Sequence, residues 1–298
     1  MDWFSQYPAV MALKLPGGRF EVDGALQWLR AAGGAGLLLG PGAWAVTGAA
    51  RWGSRAALHR AEQRWARQAR RVLGMELEIR GLADLPQRPC VVASLHEGFA
   101  DAIALLHLPV PLTFPARDEL HHWKVLGRYL ERSAQPVMST SSPVAAYRSL
   151  LRGARAAVTR GESVAVFPQG SILGVEVAFR RGAFRLADRL GIPLVPVVIT
   201  GTHQVWEHPY SPRLRFGCRV EVDVLPFPEI GGSEEAAPRL EQEMRGVALR
   251  PGRAPARRFD PLRDGFWDGY DYTIDPAFEG LATLVADHRD EVKARRDA

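Results

Sequence analysis

A histidine and an aspartate stand five positions apart after an apolar run of the sequence. The run covers residues 90–95, and His96 and Asp101 follow it. A carboxylate bonded to one imidazole nitrogen fixes the tautomer and leaves the other nitrogen free to take a proton from a hydroxyl group. The pair therefore predicts a general base with its orienting acid, suited to transfer of an acyl group directly onto a substrate hydroxyl. Spacing alone leaves a second interpretation, in which the two residues only cap a helix.

A tight turn follows another apolar run. Phe167 and Pro168 end that run, and Gln169, Gly170 and Ser171 form the turn. The proline fixes its own φ angle, and the glycine permits backbone conformations that other residues avoid. Such a turn brings backbone N–H groups close to an oxyanion or a phosphate. Taken alone, it is also an ordinary turn between a strand and a loop.

Short apolar runs alternate with helical patterns from residue 76 onward. The apolar runs predict strands at 76–81, 89–96, 110–116, 163–168, 193–201 and 219–226. The segments between and after them predict helices at 100–106, 121–132, 143–160, 180–190 and 233–249. Alternation of this kind indicates βαβ units. We predict an α/β fold with a mostly parallel or mixed central sheet flanked by helices, with His96 at the carboxyl end of a strand, where ligands bind.

The segment before the predicted sheet has a different composition. Residues 31–50 carry no charge and include six glycines and Pro41. The run approaches the roughly 20 residues that span a bilayer. Glycine and proline nevertheless predict an interrupted helix that lies in the membrane interface. A buried helical hairpin in a soluble domain is the alternative.

Residues 51–74 predict a basic amphipathic helix. One face carries Trp52, Ala56, Trp65, Ala69 and Val72, and the other carries Arg60, Arg64, Arg67 and Arg71. Arginine combined with tryptophan suits an anionic membrane surface. A solvated helix packed on the core is the alternative. We expect residues 1–75 to form a helical, membrane-docking segment on the cytoplasmic face. We do not expect nucleic-acid binding, because the tryptophans suit a membrane interface better.

The composition of the chain bounds its class. The 298 residues are 47% hydrophobic and 24% charged, with a net charge of +5, which is typical of a folded protein with anionic partners. Cys90 and Cys218 both lie in apolar runs, so neither a disulfide framework nor a metal knuckle is indicated, and a reducing compartment fits. The histidines share no metal-ligand spacing, so no metal site is expected. Glu97, beside the candidate base, could tune that base, but we interpret it as a solvated carboxylate.

The ordered motifs resemble those of a known family. HEGFAD (96–101), FPQGS (167–171), FRRGAFRLA (179–187) and IPLVPVVITG (192–201) resemble the blocks of the PlsC-type glycerolipid acyltransferases, which include lysophosphatidic acid and glycerol-3-phosphate acyltransferases. The resemblance covers about residues 89–201. It implies an acyl donor (acyl-CoA or acyl-carrier protein), a membrane lipid with a free hydroxyl as acceptor, and no metal or other cofactor.

The resemblance also implies roles for individual residues. His96 would be the general base and Asp101 its partner. The substrate would be bound by Phe167, Pro168, Gln169, Gly170, Ser171, Arg180 and Arg181. We predict three regions: residues 1–75 as the membrane-associated segment, 76–230 as the acyltransferase core, and 231–298 as a helix, a lid-like loop and a terminal helix.

The sequence departs from the family pattern where a phosphate would be held. The family's F-P-E-G-T-R reads FPQGSI, so Gln169 replaces a glutamate and Ile172 an arginine. In the second block, Val137 is followed by Met138 without an arginine. Loss of a bidentate arginine weakens phosphate recognition. Three interpretations remain: acylation of a lysophospholipid such as lysophosphatidic acid, the same chemistry on a phosphate-free acceptor such as a glycolipid or carotenoid glycoside, and an inactive lipid-binding homologue.

Overall fold

The structure is a computed structural model that describes residues 10–15, 18–122, 126–139, 142–206, 213–226, 232–260 and 272–297. Its strands are β1 (Val10–Leu15), β2 (Gly18–Asp23), β3 (Glu76–Arg80), β4 (Val91–Ser94), β5 (Leu112–Thr113), β6 (Ala116–Arg117), β7 (Val137–Met138), β8 (Ser163–Val166), β9 (Leu194–Thr200) and β10 (Arg219–Val224). Its helices are α1 (Gly24–Leu37), α2 (Ala43–Trp52), α3 (Arg55–Leu73), α4 (Ala100–Leu105), α5 (Leu126–Arg132), α6 (Pro143–Thr159), α7 (Gly182–Leu190), α8 (Thr202–Val205), α9 (Ser233–Ala248) and α10 (Glu279–Asp297).

The central sheet has the strand order β3-β10-β9-β4-β8-β5. Strands β9, β4, β8 and β5 run parallel to one another, whereas β10 pairs antiparallel with β9 and parallel with β3. The sheet is therefore mixed, and the predicted α/β fold with a central sheet flanked by helices is confirmed. The strand expected at 110–116 is shorter than predicted. The helix expected at 121–132 includes residues 123–125, which lie outside the described residues.

Helices cover both faces of the sheet, and its central strands are buried throughout. Val91 and Ala93 of β4 lie in one buried cluster with side chains of α6, α7 and α9. Val92 lies in the opposite cluster with side chains of α4 and β10. Successive side chains of a strand point to opposite faces. A strand buried on both faces therefore reads as a continuous apolar run, which is the pattern that located these strands.

The backbone is helical from Gly24 to Trp52, with one irregular turn. A π-helical turn at Leu38–Gly42 joins α1 to α2 and contains Pro41. Proline has no N–H to donate and crowds the preceding turn, and a widened turn accommodates it. The predicted interruption is therefore a local change of hydrogen bonding and not a separation of two helices. Within the described residues, no helix combines the length and mean hydropathy of a membrane span.

The basic helix α3 begins later than the sequence pattern indicated. Gly53 is extended, and the Ser54 hydroxyl caps the helix by accepting a backbone hydrogen bond. Trp52 consequently ends α2 with an exposed side chain, so its predicted place on the apolar face of α3 is wrong. Trp65 does face inward, and its Nε1 donates to the Leu38 carbonyl oxygen at 3.0 Å.

Helix α9 packs into the same core as the sheet. Its Ala237, Leu240 and Met244 are buried in the cluster that also contains Val91. Residues 261–271, where the sequence predicted most of a lid-like loop, lie outside the described residues, and α10 follows them. The division of the chain into three regions stays a prediction.

Candidate active site

Three neighbouring parallel strands end on the same side of the sheet, and their ends carry the candidate residues. Strand β4 pairs in parallel with both β8 and β9. His96 follows β4, Phe167 follows β8, and Thr202 follows β9. Because the carboxyl ends of parallel strands meet at one edge, three segments that are distant in sequence converge there.

The His96 and Asp101 side chains are in direct contact. Helix α4 begins at Ala100 and places Asp101 in its first turn, so that the His96 Nδ1 lies 2.6 Å from the Asp101 Oδ2. The His96 side chain is 26% exposed. Within the described residues its Nε2 has no hydrogen-bond partner. One ring nitrogen is therefore oriented by a carboxylate while the other faces outward.

The Asp101 carboxylate is fully buried and surrounded by donors. Its Oδ2 accepts the backbone N–H groups of Glu97 at 2.8 Å and Gly98 at 3.0 Å, in addition to the His96 ring. Its Oδ1 accepts the Thr202 hydroxyl. Every one of these contacts uses a carboxylate oxygen as the acceptor, which is the role that a carboxylate offers. That carboxylate in turn favours the His96 tautomer with hydrogen on Nδ1.

The Phe167 ring lies flat against the His96 ring. Their centroids are 4.0 Å apart and their planes are inclined by 16°. An offset or stacked aromatic contact of this kind restricts rotation of the imidazole. Phe167, expected to bind the substrate, is thus also a support for the candidate base.

The turn after β8 brings Gly170 against Arg180. Gly170 has a φ of +69°, a conformation that favours glycine. A Cβ atom at this position would lie 3.1 Å from the Arg180 Nε. The Gly170 N–H donates to the Phe167 carbonyl oxygen at 3.0 Å. This N–H is therefore engaged within the turn, and the role of neighbouring backbone N–H groups as donors to a reaction oxyanion stays a prediction.

Gln169 is buried behind the turn, with only 1% of its surface exposed. Its Oε1 accepts the His96 backbone N–H at 2.8 Å, and its Nε2 donates to the Gly174 carbonyl oxygen at 2.5 Å. Both ends of the side chain are therefore bonded to main chain. The polar atoms of this side chain are thus used within the protein, and its predicted contact with the substrate stays a prediction.

The other expected substrate-binding residues lie around this turn. The Pro168 carbonyl oxygen accepts the Arg180 N–H at 2.8 Å. Ser171 is buried, and Arg181 stands at the N-terminal end of α7. A cavity of about 180 Å³ adjoins the turn, and its lining residues are Gln169, Ala178, Phe179, Arg180, Tyr272 and Thr273. The structure thus brings Arg180 to the turn and the cavity, with Arg181 at the adjoining helix end.

The segment of the second block lies beside another arginine. Strands β6 and β7 form a short parallel pair in which Arg117 is opposite Met138. Val137 is exposed, and the Arg117 Nη2 donates to Glu119 at 2.9 Å. A cation therefore stands next to the segment that lacks the arginine of the family pattern.

A second histidine–carboxylate pair lies behind the first. Glu97 is 1% exposed, so its interpretation as a solvated carboxylate is wrong. Its Oε2 lies 3.1 Å from the His203 Nδ1, and its Oε1 accepts the Arg257 backbone N–H at 2.8 Å. The Thr202 hydroxyl, bonded to Asp101, also lies 3.4 Å from the Glu97 Oε2. The two carboxylates are therefore linked through one threonine.

Sequence reasoning missed Thr202, His203 and Arg257 as neighbours of the site. Thr202 and His203 stand directly after an apolar strand, which is the signal that drew attention to His96. Arg257 does not follow an apolar strand, so no such pattern marks it. It reaches the site from a segment far along the chain. In the described part of the chain, no group of three or more histidine, cysteine or acidic side chains is arranged to hold a metal ion.

An α/β sheet with a histidine–aspartate pair and a proline-glycine turn at adjacent carboxyl ends is the arrangement that the resemblance to PlsC-type acyltransferases led us to expect. Residues 76–200 match the family model described as Acyltransferase. This part of the chain is similar to that family, and the matched residues include both segments of the candidate site.

Similar proteins carry related names. The 1-acyl-sn-glycerol-3-phosphate acyltransferase of Pseudomonas aeruginosa is 30% identical over 141 residues, which are 45% of this chain and 55% of that protein. The protein of the same name from Saccharomyces cerevisiae is 26% identical over 154 residues, half of each chain. The chain thus spans about half the length of these relatives.

A solved structure shares the fold. The crystal structure of the 1-acyl-sn-glycerophosphate (LPA) acyltransferase PlsC from Thermotoga maritima superposes with a TM-score of 0.55 at 19% identity. The match covers 67% of this chain and 82% of that one. It extends beyond the 125-residue span of the family match (residues 76–200) and shows that the common architecture includes flanking elements.

Proposed function

We propose that the protein transfers a fatty acyl group from a thioester donor to the hydroxyl group of a membrane lipid. The observation that carries this proposal is the His96 ring, whose Nδ1 is bonded to the buried Asp101 and whose Nε2 faces outward. In the reaction, Nε2 takes the proton of the acceptor hydroxyl. The oxygen attacks the thioester carbonyl, a new ester bond forms, and the carbon–sulfur bond breaks. The thiol leaves with the proton that His96 carried.

The acceptor we propose first is a lysophospholipid such as lysophosphatidic acid. Relatives from bacteria, plants and yeast carry the name 1-acyl-sn-glycerol-3-phosphate acyltransferase. Arg180 beside the turn and Arg117 beside the second block offer cations for a phosphate. The donor would be acyl-CoA or an acyl-carrier protein.

One observation favours a second acceptor class. Val137 is exposed and Met138 follows it, where the family pattern has a basic residue. An apolar surface at this place suits a lipid alcohol without phosphate, such as a glycolipid, better than it suits a dianion. The chemistry at His96 would be unchanged.

We further propose that the protein lies on a membrane through α1 and α2. Large apolar side chains on these helices and on the turn between them are exposed: Leu26, Leu29, Leu37, Leu39, Trp44 and Trp52. The exposed side of α3 beside them carries Arg60, Arg64, Arg67 and Arg71. Apolar side chains inserted among acyl chains, with arginines at the head groups, would bind an anionic bilayer peripherally. This surface would deliver the lipid acceptor.

Thioester turnover by the purified chain in detergent tests the proposal. Release of free thiol from acyl-CoA would be followed with lysophosphatidic acid and, separately, with a neutral glycolipid. The wild type should turn over, and His96→Ala should lose turnover by about 10³-fold. His122→Ala, which removes an exposed histidine of the turn Asp118–His122, should behave as the wild type.

Each outcome decides between the candidate functions. Turnover with lysophosphatidic acid only would support the phospholipid acceptor, and turnover with the glycolipid only would support the phosphate-free one. No turnover with either acceptor or with an acyl-carrier-protein donor, together with tight vesicle binding, would overturn the enzymatic proposal in favour of an inactive lipid-binding protein.

A further inference from the structure

We propose that Gln169 is a positioning residue that works through its neutral carboxamide, and that a carboxylic acid cannot replace it near neutral pH. It would hold the main chain at His96 and at Gly174 in the geometry the reaction needs, without touching the reacting atoms. This inference rests on the proposed function. For a glutamate at position 169, it predicts the opposite of what the family pattern predicts. That pattern has glutamate at this position, so it predicts that Gln169→Glu is harmless.

The two groups that Gln169 bonds are of opposite kind. The His96 backbone N–H is a donor, and it lies 2.8 Å from the Oε1 of Gln169. The Gly174 carbonyl oxygen is an acceptor, and it lies 2.5 Å from the Nε2. A carboxamide offers one acceptor atom and one donor group, so it satisfies both. With 1% of the residue exposed, water has no ready access to replace either bond.

An ionised glutamate would satisfy only one of these groups. One oxygen could still accept the His96 N–H, but the other would face the Gly174 carbonyl oxygen with no hydrogen between them. A buried charge that meets a carbonyl oxygen is strongly disfavoured. Protonation of the acid restores an O–H donor toward Gly174 and removes the conflict.

The Gly174 carbonyl group is not free to turn away. Gly174 has a φ of +127°, and a Cβ atom there would lie 2.5 Å from the Phe259 backbone nitrogen. The next residue, Val175, donates its N–H to the Arg257 carbonyl oxygen at 3.0 Å. Arg257 in turn donates its own N–H to Glu97, the neighbour of His96. The two ends of Gln169 thus belong to one closed circuit of hydrogen bonds beside the base, which runs through main-chain groups and the Glu97 side chain.

This circuit determines where the reactive nitrogen lies. Gln169 fixes the backbone of His96 directly, and it stands two residues after Phe167, whose ring stacks on the imidazole. A shift of about 1 Å in a catalytic group lowers the rate by about 100-fold. Loss of the amide should therefore reduce kcat while leaving substrate binding largely intact.

Charged and titratable groups stand on the segments that hydrogen bonds and the adjoining cavity connect to the buried amide: His96, Glu97, Asp101, Glu176, Arg180, Arg257, Arg258 and Tyr272. Glu176 is already bonded to Arg258 and to the Phe259 N–H, so it offers no hydrogen to a new carboxylate. Turnover of the wild type has a pH dependence of its own. The quantity to compare is therefore the ratio of variant to wild-type turnover at each pH.

The test is the pH profile of thioester turnover for the wild type, Gln169→Glu and Gln169→Met. At pH 7.5 we expect kcat of Gln169→Glu to be about 30- to 100-fold below the wild type, with KM for both substrates changed by less than about threefold. The deficit should shrink at least fivefold by pH 5.5, as the acid becomes protonated. Gln169→Met, which has neither donor nor acceptor, should show a deficit that does not depend on pH.

A matched control comes from a second buried glutamine. Gln135 accepts the Phe114 N–H at 2.7 Å and donates to the Tyr129 hydroxyl at 3.1 Å, away from the site. Gln135→Glu should lower stability but should not produce the pH-dependent ratio of kcat. The same pH-dependent ratio in Gln135→Glu would mean that any buried acid has this effect, and the proposal would fail.

Other outcomes also decide the question. Wild-type turnover by Gln169→Glu at every pH would overturn the proposal and uphold the family pattern. A loss carried mainly by KM would show that Gln169 contacts a substrate. If the wild type itself has no turnover, the proposed function fails separately, and thermal unfolding still tests the contacts: the Tm of Gln169→Glu should fall below that of the wild type at pH 7.5 and approach it at pH 5.

Discussion

Two histidines of this protein contact buried carboxylates, and they differ in how many ring nitrogens are used. His96 has one nitrogen bonded to Asp101 and the other directed outward from a side chain that is 26% exposed. His59 has both nitrogens bonded: Nδ1 to Glu62 at 2.8 Å and Nε2 to Glu162 at 3.1 Å. A ring with an outward nitrogen can exchange a proton with a substrate, whereas a ring bonded on both sides cannot.

The His59 cluster lies between α3 and the core. Burial lowers the pKa of His59, but hydrogen bonds with Glu162 and Glu62 outweigh it and raise that pKa to about 9. Burial likewise raises the pKa of Glu162, but hydrogen bonds from His59, Arg160 and Arg55 outweigh it and lower that pKa to about 2. The charged forms are thus stabilised together, and at neutral pH the cluster is a set of ion pairs.

The two clusters use histidine and carboxylate side chains in different ways. Around Asp101, neutral donors surround the carboxylate, and the histidine it orients retains a free nitrogen. Around Glu162, the donors are cations, and each is held in place by the carboxylate. We therefore expect substitutions in the first cluster to change the rate of reaction and substitutions in the second to change stability.

The largest effect is expected from Asp101→Asn. The asparagine amide group would place a donor among the donors of Glu97, Gly98 and Thr202, and it would favour the wrong tautomer of His96. We expect kcat to fall by about 10³- to 10⁴-fold. Steady-state thioester turnover measures the loss, and near-ultraviolet circular dichroism checks that the fold is retained. Turnover within tenfold of the wild type would show that Asp101 does not orient the base.

The next largest effect is expected from Glu162→Gln, in the second cluster. Glu162 accepts hydrogen bonds from the side chains of Arg55 and Arg160 and from His59, and it is 1% exposed. Removal of one partner from a buried ion pair costs about 3 kcal/mol or more. Urea unfolding should show this loss, while turnover of the folded fraction should stay within about twofold of the wild type. A large fall in kcat without a loss of stability would contradict the division between the clusters.

The sequence predicted the architecture and the first contact of the site. Strands buried on both faces are visible as apolar runs, and the helical patterns between them are equally clear. The distance between His96 and Asp101 follows from local geometry, because the first turn of a helix brings the aspartate back toward the strand end. Local spacing was sufficient for these features, since none of them depends on a distant segment.

The rest of the site depends on contacts that local patterns do not encode. Thr202 reaches Asp101 only because β9 lies beside β4, and Arg257 reaches Glu97 from beyond α9. The direction of the Gln169 side chain is set by the Gly174 carbonyl group, whose position is fixed by that same distant segment. Trp52 was misplaced for a different reason: Gly53 and Ser54 end one helix and cap the next within an otherwise helical pattern.

A smaller effect, and a sharper test of the first cluster, is expected from Thr202→Val. The substitution keeps the shape of the side chain but removes the hydroxyl that donates to the Asp101 Oδ1. We expect kcat to fall by about tenfold, since a hydrogen bond to a charged group contributes about 1.5 kcal/mol or more. Thr202→Ser, which keeps the hydroxyl, should recover most of the rate. Equal losses in the two variants would indicate that packing of the methyl group matters and the hydroxyl does not.

The smallest effect concerns the pH dependence of stability, and it tests whether His59 is charged in the folded protein. Its folded pKa of about 9 lies above its ordinary value of 6.5. The stabilisation is therefore complete below pH 6.5, and it is lost as the pH rises through about 9. Urea unfolding at pH 7 and at pH 9.5 should show a loss of about 1–2 kcal/mol in the wild type, after allowance for solvent screening.

The control for this loss is His59→Gln, which is less stable at pH 7 but has no imidazole to titrate. Tyr129 donates to Glu62 at 2.7 Å, and burial raises its pKa well above the ordinary value of 10.0. The loss of stability that Tyr129 causes therefore begins near that ordinary value, above pH 9.5. The alkaline loss in His59→Gln should therefore be smaller than in the wild type by most of the predicted amount. Equal losses would mean that His59 is neutral in its cluster. In that case the number of bonded nitrogens, and not the charge, would be what distinguishes it from His96.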